Sequence, residues 1–283
     1  MYLSHFGLGE FPFAITPDTD FVYRAQSHQA AMNVVLLALD SGEGFVKITG
    51  EVGTGKTLLS RRLLASLPAD VVTAYLLNPR LTPCGLLRAI SEELGLPRRR
   101  GVDEHGLYTL LEAELVRLAA EGKRVVLCID EAQALPLESL EALRLLSNLE
   151  TGKRKLIQSV LFGQPELDQR LASHSIRSLA SRIAFSARLA GLNLHDFSQY
   201  LQHRMVVAGW RGPEVFGWSA RVLLWRASRG VPRLANILAH KGLMLAFGQG
   251  RHRVGLRLAW AAACDEVGVA RSRWSAWLQG ARG

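Results

Sequence analysis

The segment Gly50-Glu51-Val52-Gly53-Thr54-Gly55-Lys56-Thr57 constrains the fold of this chain more than any other. It fits the pattern GxxxxGK[ST], follows the apolar, β-branched run Phe45–Thr49 and leads into the helical pattern Leu58–Leu67. A strand, a glycine-rich turn and a helix in that order make a cradle for phosphate. Glycines let successive backbone N–H groups turn inward around a triphosphate, and the helix N-terminus beneath them favours negative charge. Gly50, Glu51, Val52, Gly53, Thr54 and Gly55 are therefore expected to line the loop. Lys56 is expected to reach the β- and γ-phosphates, and the Thr57 hydroxyl to ligate Mg²⁺. ATP with Mg²⁺ is the expected ligand. A glycine-rich turn that matches by chance is the bland alternative, and the flanking strand and helix weigh against it.

A second signal lies downstream. Val125-Val126-Leu127-Cys128-Ile129 is a continuous apolar run that ends in Asp130-Glu131, which puts two carboxylates at the carboxyl edge of a buried strand. That edge is where open α/β sheets bind ligands. Asp130 is expected to hold the Mg²⁺ through its water shell, and Glu131 to polarise the attacking water. An acidic N-cap pair for the next helix is the alternative, and the phosphate loop about 74 residues earlier tips the choice.

Around these motifs, short apolar runs alternate with segments of helical period, the form of a parallel sheet covered by helices. The expected strands are Phe45–Thr49, Val71–Leu77, Arg124–Asp130, Leu156–Gly163 and Ile183–Arg188. The expected helices between them are Lys56–Ser66, Thr82–Leu94, Glu104–Ala120 and Leu137–Leu149, with Thr82-Pro83 as N-cap and first helical residue. Beyond Ala190 only helical patterns continue, at His195–Ala208, Ser219–Ser228, Pro232–Phe247 and Leu256–Val267. The expected organisation is a three-layer α/β/α domain over 1–190, a small all-helical domain over 191–267 and a basic tail over 268–283. Pro97-Arg98-Arg99-Arg100-Gly101 reads as an exposed loop.

Composition narrows the class. The chain has 283 residues, 48% of them apolar, and no apolar run reaches the ~18 residues a spanning helix needs. Its first six residues lack a basic stretch leading into an apolar one, so a cytoplasmic protein is expected. Three widely spaced cysteines, Cys84, Cys128 and Cys264, make no CxxC pair and are expected to be reduced and mostly buried. Charge is uneven: residues 1–169 hold 17 basic and 21 acidic side chains, net −4, whereas residues 170–283 hold 17 and 4, net +13. An anionic partner for the second part follows, whether nucleic acid, lipid headgroup or acidic protein face.

The order of phosphate loop, acidic pair and Leu156–Gln164 resembles the AAA+ class of ATPases. In that class the strand between the two motif strands ends in a polar sensor of the γ-phosphate or lytic water, which the resemblance places at Gln164. On chemistry alone Gln164 is equally a turn or capping residue before Pro165. The stretch Ile176-Arg177-Ser178-Leu179-Ala180-Ser181-Arg182 stands where the class carries an arginine finger, with Arg182 preferred and Arg177 in reserve; an ordinary solvated Arg is the alternative. Gly230-Val231-Pro232-Arg233 resembles the second sensor, GxPR, whose Arg233 would reach the phosphates from the first turn of a lid helix.

Further residues resemble the ExeA/GspA-type members of that class, the ATPases of bacterial secretion and type IV pilus systems. They are Phe6-Gly7-Leu8-Gly9-Glu10-Phe11-Pro12-Phe13, Thr16-Pro17-Asp18, Ser41-Gly42-Glu43-Gly44-Phe45, Asp130-Glu131-Ala132-Gln133 and Phe162-Gly163-Gln164-Pro165-Glu166-Leu167. The resemblance implies ATP hydrolysis in a self-associated oligomer that helps assemble a secretion apparatus or an MSHA-type pilus, peripheral to the inner membrane. Larger members continue into a transmembrane segment and a peptidoglycan-binding domain, so direct cell-wall binding is not expected of this shorter chain. A DNA-associated AAA+ ATPase, of the transposition-regulator or loader type, is the runner-up, and a nucleotide switch that turns over slowly is a third reading. Phe6, Phe11 and Phe13 are expected to pack near an adenine, with filling of a core edge as the alternative. The tail Arg271–Leu278 mixes Arg with Trp, as interfacial segments do.

Overall fold

A computed structural model describes residues 2–14, 21, 23, 25–77, 79–98, 101–152, 154–173 and 176–266. Thr16-Pro17-Asp18, Arg99-Arg100 and the basic tail lie outside them. The chain divides into two units, one of residues 28–189 and one that joins residues 1–27 to 190–283.

The described helices and strands begin with α1 (Tyr2–Phe6), α2 (Gln26–Asp40), β1 (Phe45–Gly50), α3 (Lys56–Ser66), β2 (Val71–Leu76), α4 (Pro83–Glu93), α5 (Glu104–Ala120) and β3 (Arg124–Ile129). There follow α6 (Leu137–Leu146), β4 (Glu150–Thr151), β5 (Arg154–Lys155), β6 (Gln158–Gly163), α7 (Glu166–Leu171), α8 (Arg177–Ala180) and β7 (Ile183–Leu189). The last are α9 (Leu194–Val207), α10 (Trp218–Ser228), α11 (Pro232–Gly248) and α12 (Leu256–Asp265).

In the first unit, five parallel strands form a sheet in the order β2-β3-β6-β1-β7. Strand residues alternate between its two faces. Leu127 and Ile129 of β3 join Leu86 and Ile90 of α4 and Leu111 and Leu115 of α5 in one core. Val126 and Cys128 point the other way, into a second core with Val35 of α2 and Leu59 and Leu63 of α3. Both faces are apolar because both are covered, which is why β3 reads as an unbroken apolar run. Helix α4 starts as its residues dictate, with the Thr82 hydroxyl accepting the Gly85 N–H at 3.2 Å and Pro83 at the first helical position.

Three features depart from expectation. Helix α2 is absent from the expected set, as are the short helices α7 and α8 and the β4-β5 hairpin. The expected first domain, 1–190, is corrected at its start, because residues 1–27 group with the helical unit. There Phe6 and Phe13 are 2% exposed in a core shared with Phe197, Phe216, Leu238 and Leu243. With both rings enclosed by helix side chains, neither has a face left for a base, which corrects the expected adenine packing for Phe6 and Phe13. Phe11 is exposed and stands edge-on to Tyr2 and His240. The third departure concerns the cysteines: all three are free, but Cys128 alone is buried, its thiol pushed up to about 12 by burial, whereas Cys84 is half-buried and Cys264 exposed.

A polar clamp holds the N-terminal segment in the helical unit. Arg204 of α9 is buried, donates to the Pro12 carbonyl and to the Tyr200 hydroxyl, and lies 4.7 Å from the centre of the Phe21 ring. Tyr200 donates in turn to Asn236 Oδ1 at 2.6 Å, and Asn236 Nδ2 donates to the Ala14 carbonyl at 3.2 Å. The clamp gives a buried guanidinium its acceptors, without which its burial would be costly.

Candidate nucleotide site

Strand β1 delivers the phosphate loop to the carboxyl edge of the sheet, and α3 begins at Lys56 directly after it. Gly53 and Gly55 take φ of +81° and +96°, conformations open to glycine at little cost. Thr54 is buried and closes the turn on itself: its hydroxyl donates to the Glu51 carbonyl at 2.8 Å and its N–H to the same oxygen at 3.3 Å. Lys56 is buried with its ammonium folded onto the loop, donating to the carbonyls of Gly50 at 2.8 Å and Glu51 at 3.1 Å. Burial holds its pKa below the ordinary lysine value, partly offset by the charges of Glu131, Asp130, Glu51 and Glu166. A cation in that setting is drawn to a second polyanion.

The acidic pair stands two strands away, at the end of β3, with β6 between it and β1. Asp130 is 1% exposed, and its Oδ2 accepts the Thr57 hydroxyl at 2.6 Å. A carboxylate and a hydroxyl brought this close are the hard oxygen donors that Mg²⁺ takes from a protein, which supplies few ligands and leaves the rest to water and phosphate. The donor set therefore fits the expected metal. Tyr75 of β2 points its hydroxyl at the same Oδ2, 3.5 Å away.

Glu131 has φ +51°, a left-handed conformation that costs a non-glycine residue energy. Its carboxylate is gripped from two sides: Oε2 accepts Gln133 Nε2 at 2.5 Å and Gln164 Nε2 at 3.0 Å. Gln133 in turn accepts the Gln164 backbone N–H at 2.9 Å through Oε1, so the two glutamines and Glu131 form a closed triangle. Arg170 of α7 donates to the carbonyls of Gln133 and Leu135 and fixes the turn after β3. Gln164 follows β6, the strand between the two motif strands, where its side chain bonds Glu131 and its carbonyl accepts the Leu167 N–H at 2.9 Å at the start of α7, so both the sensor and the turn reading stand.

Of the remaining expected residues, Arg177 and Arg182 lie in the α/β unit and Arg233 in the helical unit. Arg182, just before β7, donates to Ser147 Oγ at 3.0 Å and lies beside Glu141 and Glu150 rather than bonded to Glu131. Arg177 opens α8 and is exposed. Arg233 is exposed in the first turn of α11, in the helical unit, with Pro232 at the first helical position as expected. Two participants carried no assigned role in the sequence reading. Gln133 stood in the run Asp130–Gln133 without a task, and its place two residues after the carboxylate was the available signal. His28, whose Nε2 meets the Thr54 carbonyl at 2.8 Å, belongs to no motif and had none.

Comparison with known proteins agrees with the fold. Residues 39–171 match the family model of the AAA domain. General secretion pathway protein A of Aeromonas hydrophila is 44% identical over 254 residues, a match that takes in 90% of this chain and 46% of that protein. This chain thus spans just under half the length of that relative. Among solved structures, the ADP form of the Aeropyrum pernix ORC2 protein superposes with a TM-score of 0.63 at 20% identity, over 90% of this chain and 72% of that one. Drosophila ORC bound to DNA gives 0.67 at 17% identity, over 92% and 65%. The Walker-type ATPase of Pyrococcus abyssi gives 0.60 at 14% identity, over 93% and 79%. Likeness at such identities speaks for the fold and for nothing finer.

Proposed function

We propose, from the premise that the α/β unit is an AAA ATPase domain and the chain a relative of general secretion pathway protein A, that it hydrolyses ATP to drive assembly of a secretion apparatus or an MSHA-type pilus. The observation that carries the catalytic reading is the grip on Glu131. A carboxylate acts as general base only when it is aimed, and two amide donors on Oε2 leave Oε1 to take a water proton. The loop of Gly50–Gly55 and Lys56 binds the phosphates, and Gln164 senses the γ-phosphate end. Thr57 and Asp130 would hold Mg²⁺, which supplies charge neutralisation on the phosphate oxygens when bound.

Arg182, or Arg177 in its place, completes the site from a neighbouring subunit of an oligomer, where a guanidinium can meet charge developing on the transferred phosphoryl group. Its hydrogen bond is to the neutral Ser147 hydroxyl, and the Glu141 and Glu150 carboxylates beside it are the charges a phosphoryl group must outcompete. Arg233 reports phosphate state to the helical unit, which passes the motion to secretion or pilus-assembly proteins at the inner membrane. Among the described residues no helix is long and apolar enough to cross a membrane.

The test is phosphate release by the purified chain, wild type beside Glu131→Gln. Loss of a general base is expected to lower turnover about 10²- to 10⁴-fold while ATP still binds. Equal rates would remove Glu131 from the mechanism.

A further inference from the structure

We infer that His28 is a positioning residue for nucleotide binding, locking the Thr54–Gly55 peptide in the orientation that turns the Gly55 N–H toward phosphate. The inference rests on the reading of this loop as a nucleotide site. His28 stands in the first turn of α2, is 8% exposed, and places Nε2 2.8 Å from the Thr54 carbonyl oxygen. A carbonyl can only accept, so Nε2 carries the hydrogen. Nδ1 of the same ring is buried and has no hydrogen-bond partner. Burial holds the ring below its ordinary pKa, in keeping with a neutral imidazole whose one N–H is spent on the loop.

The consequence follows from the planar trans peptide. Its C=O and N–H point in opposite directions, so whatever holds the Thr54 oxygen on the protein side aims the Gly55 N–H at the other side. The lock matters here because Gly55, at φ +96°, has no side chain to resist rotation of that peptide. A flipped peptide would offer phosphate a carbonyl oxygen in place of a donor. The Thr54 hydroxyl and N–H are tied to the Glu51 carbonyl, but neither bond acts on the Thr54 carbonyl itself. Histidine and glycine are also matched in shape, since a Cβ at position 55 would stand 2.8 Å from His28 Nε2.

The experiment titrates the full chain with an N-methylanthraniloyl derivative of ATP and, separately, of adenosine. Wild type is set beside Lys56→Ala, His28→Leu and His28→Gln, with a melting curve for each. The Gln amide nitrogen lies as far along its side chain as Nε2 does and can make the same bond. His28→Leu is expected to weaken the ATP derivative about 3- to 10-fold, the worth of one hydrogen bond, and His28→Gln to restore it. The adenosine derivative should respond to neither. Wild-type affinity in His28→Leu, with Lys56→Ala weakened, overturns the inference and leaves the nucleotide reading standing. A loss that Gln does not restore also overturns it, since it marks a packing role. Should wild type and Lys56→Ala bind the ATP derivative equally, the nucleotide reading itself falls and the inference with it. If the Leu variant does not fold, His28→Asn replaces it: its amide nitrogen is one bond short, so equal affinity of Asn and Gln variants refutes the lock.

Discussion

The α/β unit and the helical unit are built from the chain in opposite ways. In the first, the chemical groups come as short runs, the loop of eight and the acidic pair with Gln133 as a run of four, which the sheet edge then joins to each other and to Gln164. In the second, the decisive contacts join residues about 190 to 240 positions apart, as where Arg204 meets Pro12 and Tyr2 meets His240. Local tasks leave motifs, whereas long-range packing leaves only apolar residues and a lone cation. The contrast predicts that the two units fail separately when each is damaged at its own centre.

The largest expected effect tests the helical side. Phe6 fills its core from the opposite end of the chain, and Phe6→Ala leaves a cavity expected to cost about 3–5 kcal/mol. Calorimetry should show one transition moving down and the other holding, because a two-unit chain need not unfold in one step. Loss of both transitions together would break the comparison.

A smaller effect probes the chemical side. In the triangle of Glu131, Gln133 and Gln164, Gln133 bonds both other members and Gln164 offers one side chain to Glu131. Gln133→Ala is therefore expected to slow turnover about tenfold, or ~1.4 kcal/mol of barrier, and to leave ATP affinity unchanged. Steady-state phosphate release over a range of ATP concentration separates the two effects. A raised KM with intact kcat would place Gln133 in binding rather than in aiming the carboxylate.

These contrasts explain what was legible in the sequence. The central strand β3 was readable because a strand covered on both faces is apolar throughout, as Val125–Ile129 is, whereas the edge strand β7 exposes Ala184, Ser186 and Arg188 and gave a weaker signal. Lys56, Thr57, Asp130 and Glu131 were readable because phosphate and metal admit few residue types. The home of Phe6 and Phe13 was not, since an aromatic residue fits a core and a base equally well and the choice is made by α9, α10 and α11. His28 escaped for a related reason: its partner is a backbone carbonyl, and a carbonyl belongs to every residue. Helix α2 lacked an acidic first turn, so its start carried no charge signal.

The smallest effect compares the units through one histidine each. His28 in the α/β unit and His240 in the helical unit both have pKa values lowered by burial, and His240 Nδ1 lies 2.9 Å from the Tyr2 hydroxyl. In an unfolded chain each titrates near the ordinary ~6.5. Below that value the unfolded state takes up the proton first, so unfolding is favoured as pH falls. Their contribution to stability is complete above about pH 6.5 and is lost as pH falls through the lower folded values. Both calorimetric transitions should therefore slip to lower temperature between pH 7 and pH 5. His240→Gln should flatten the slope of the helical transition alone, since an amide does not titrate. A slope unchanged by that substitution would assign the acid sensitivity to carboxylates and remove His240 from the account.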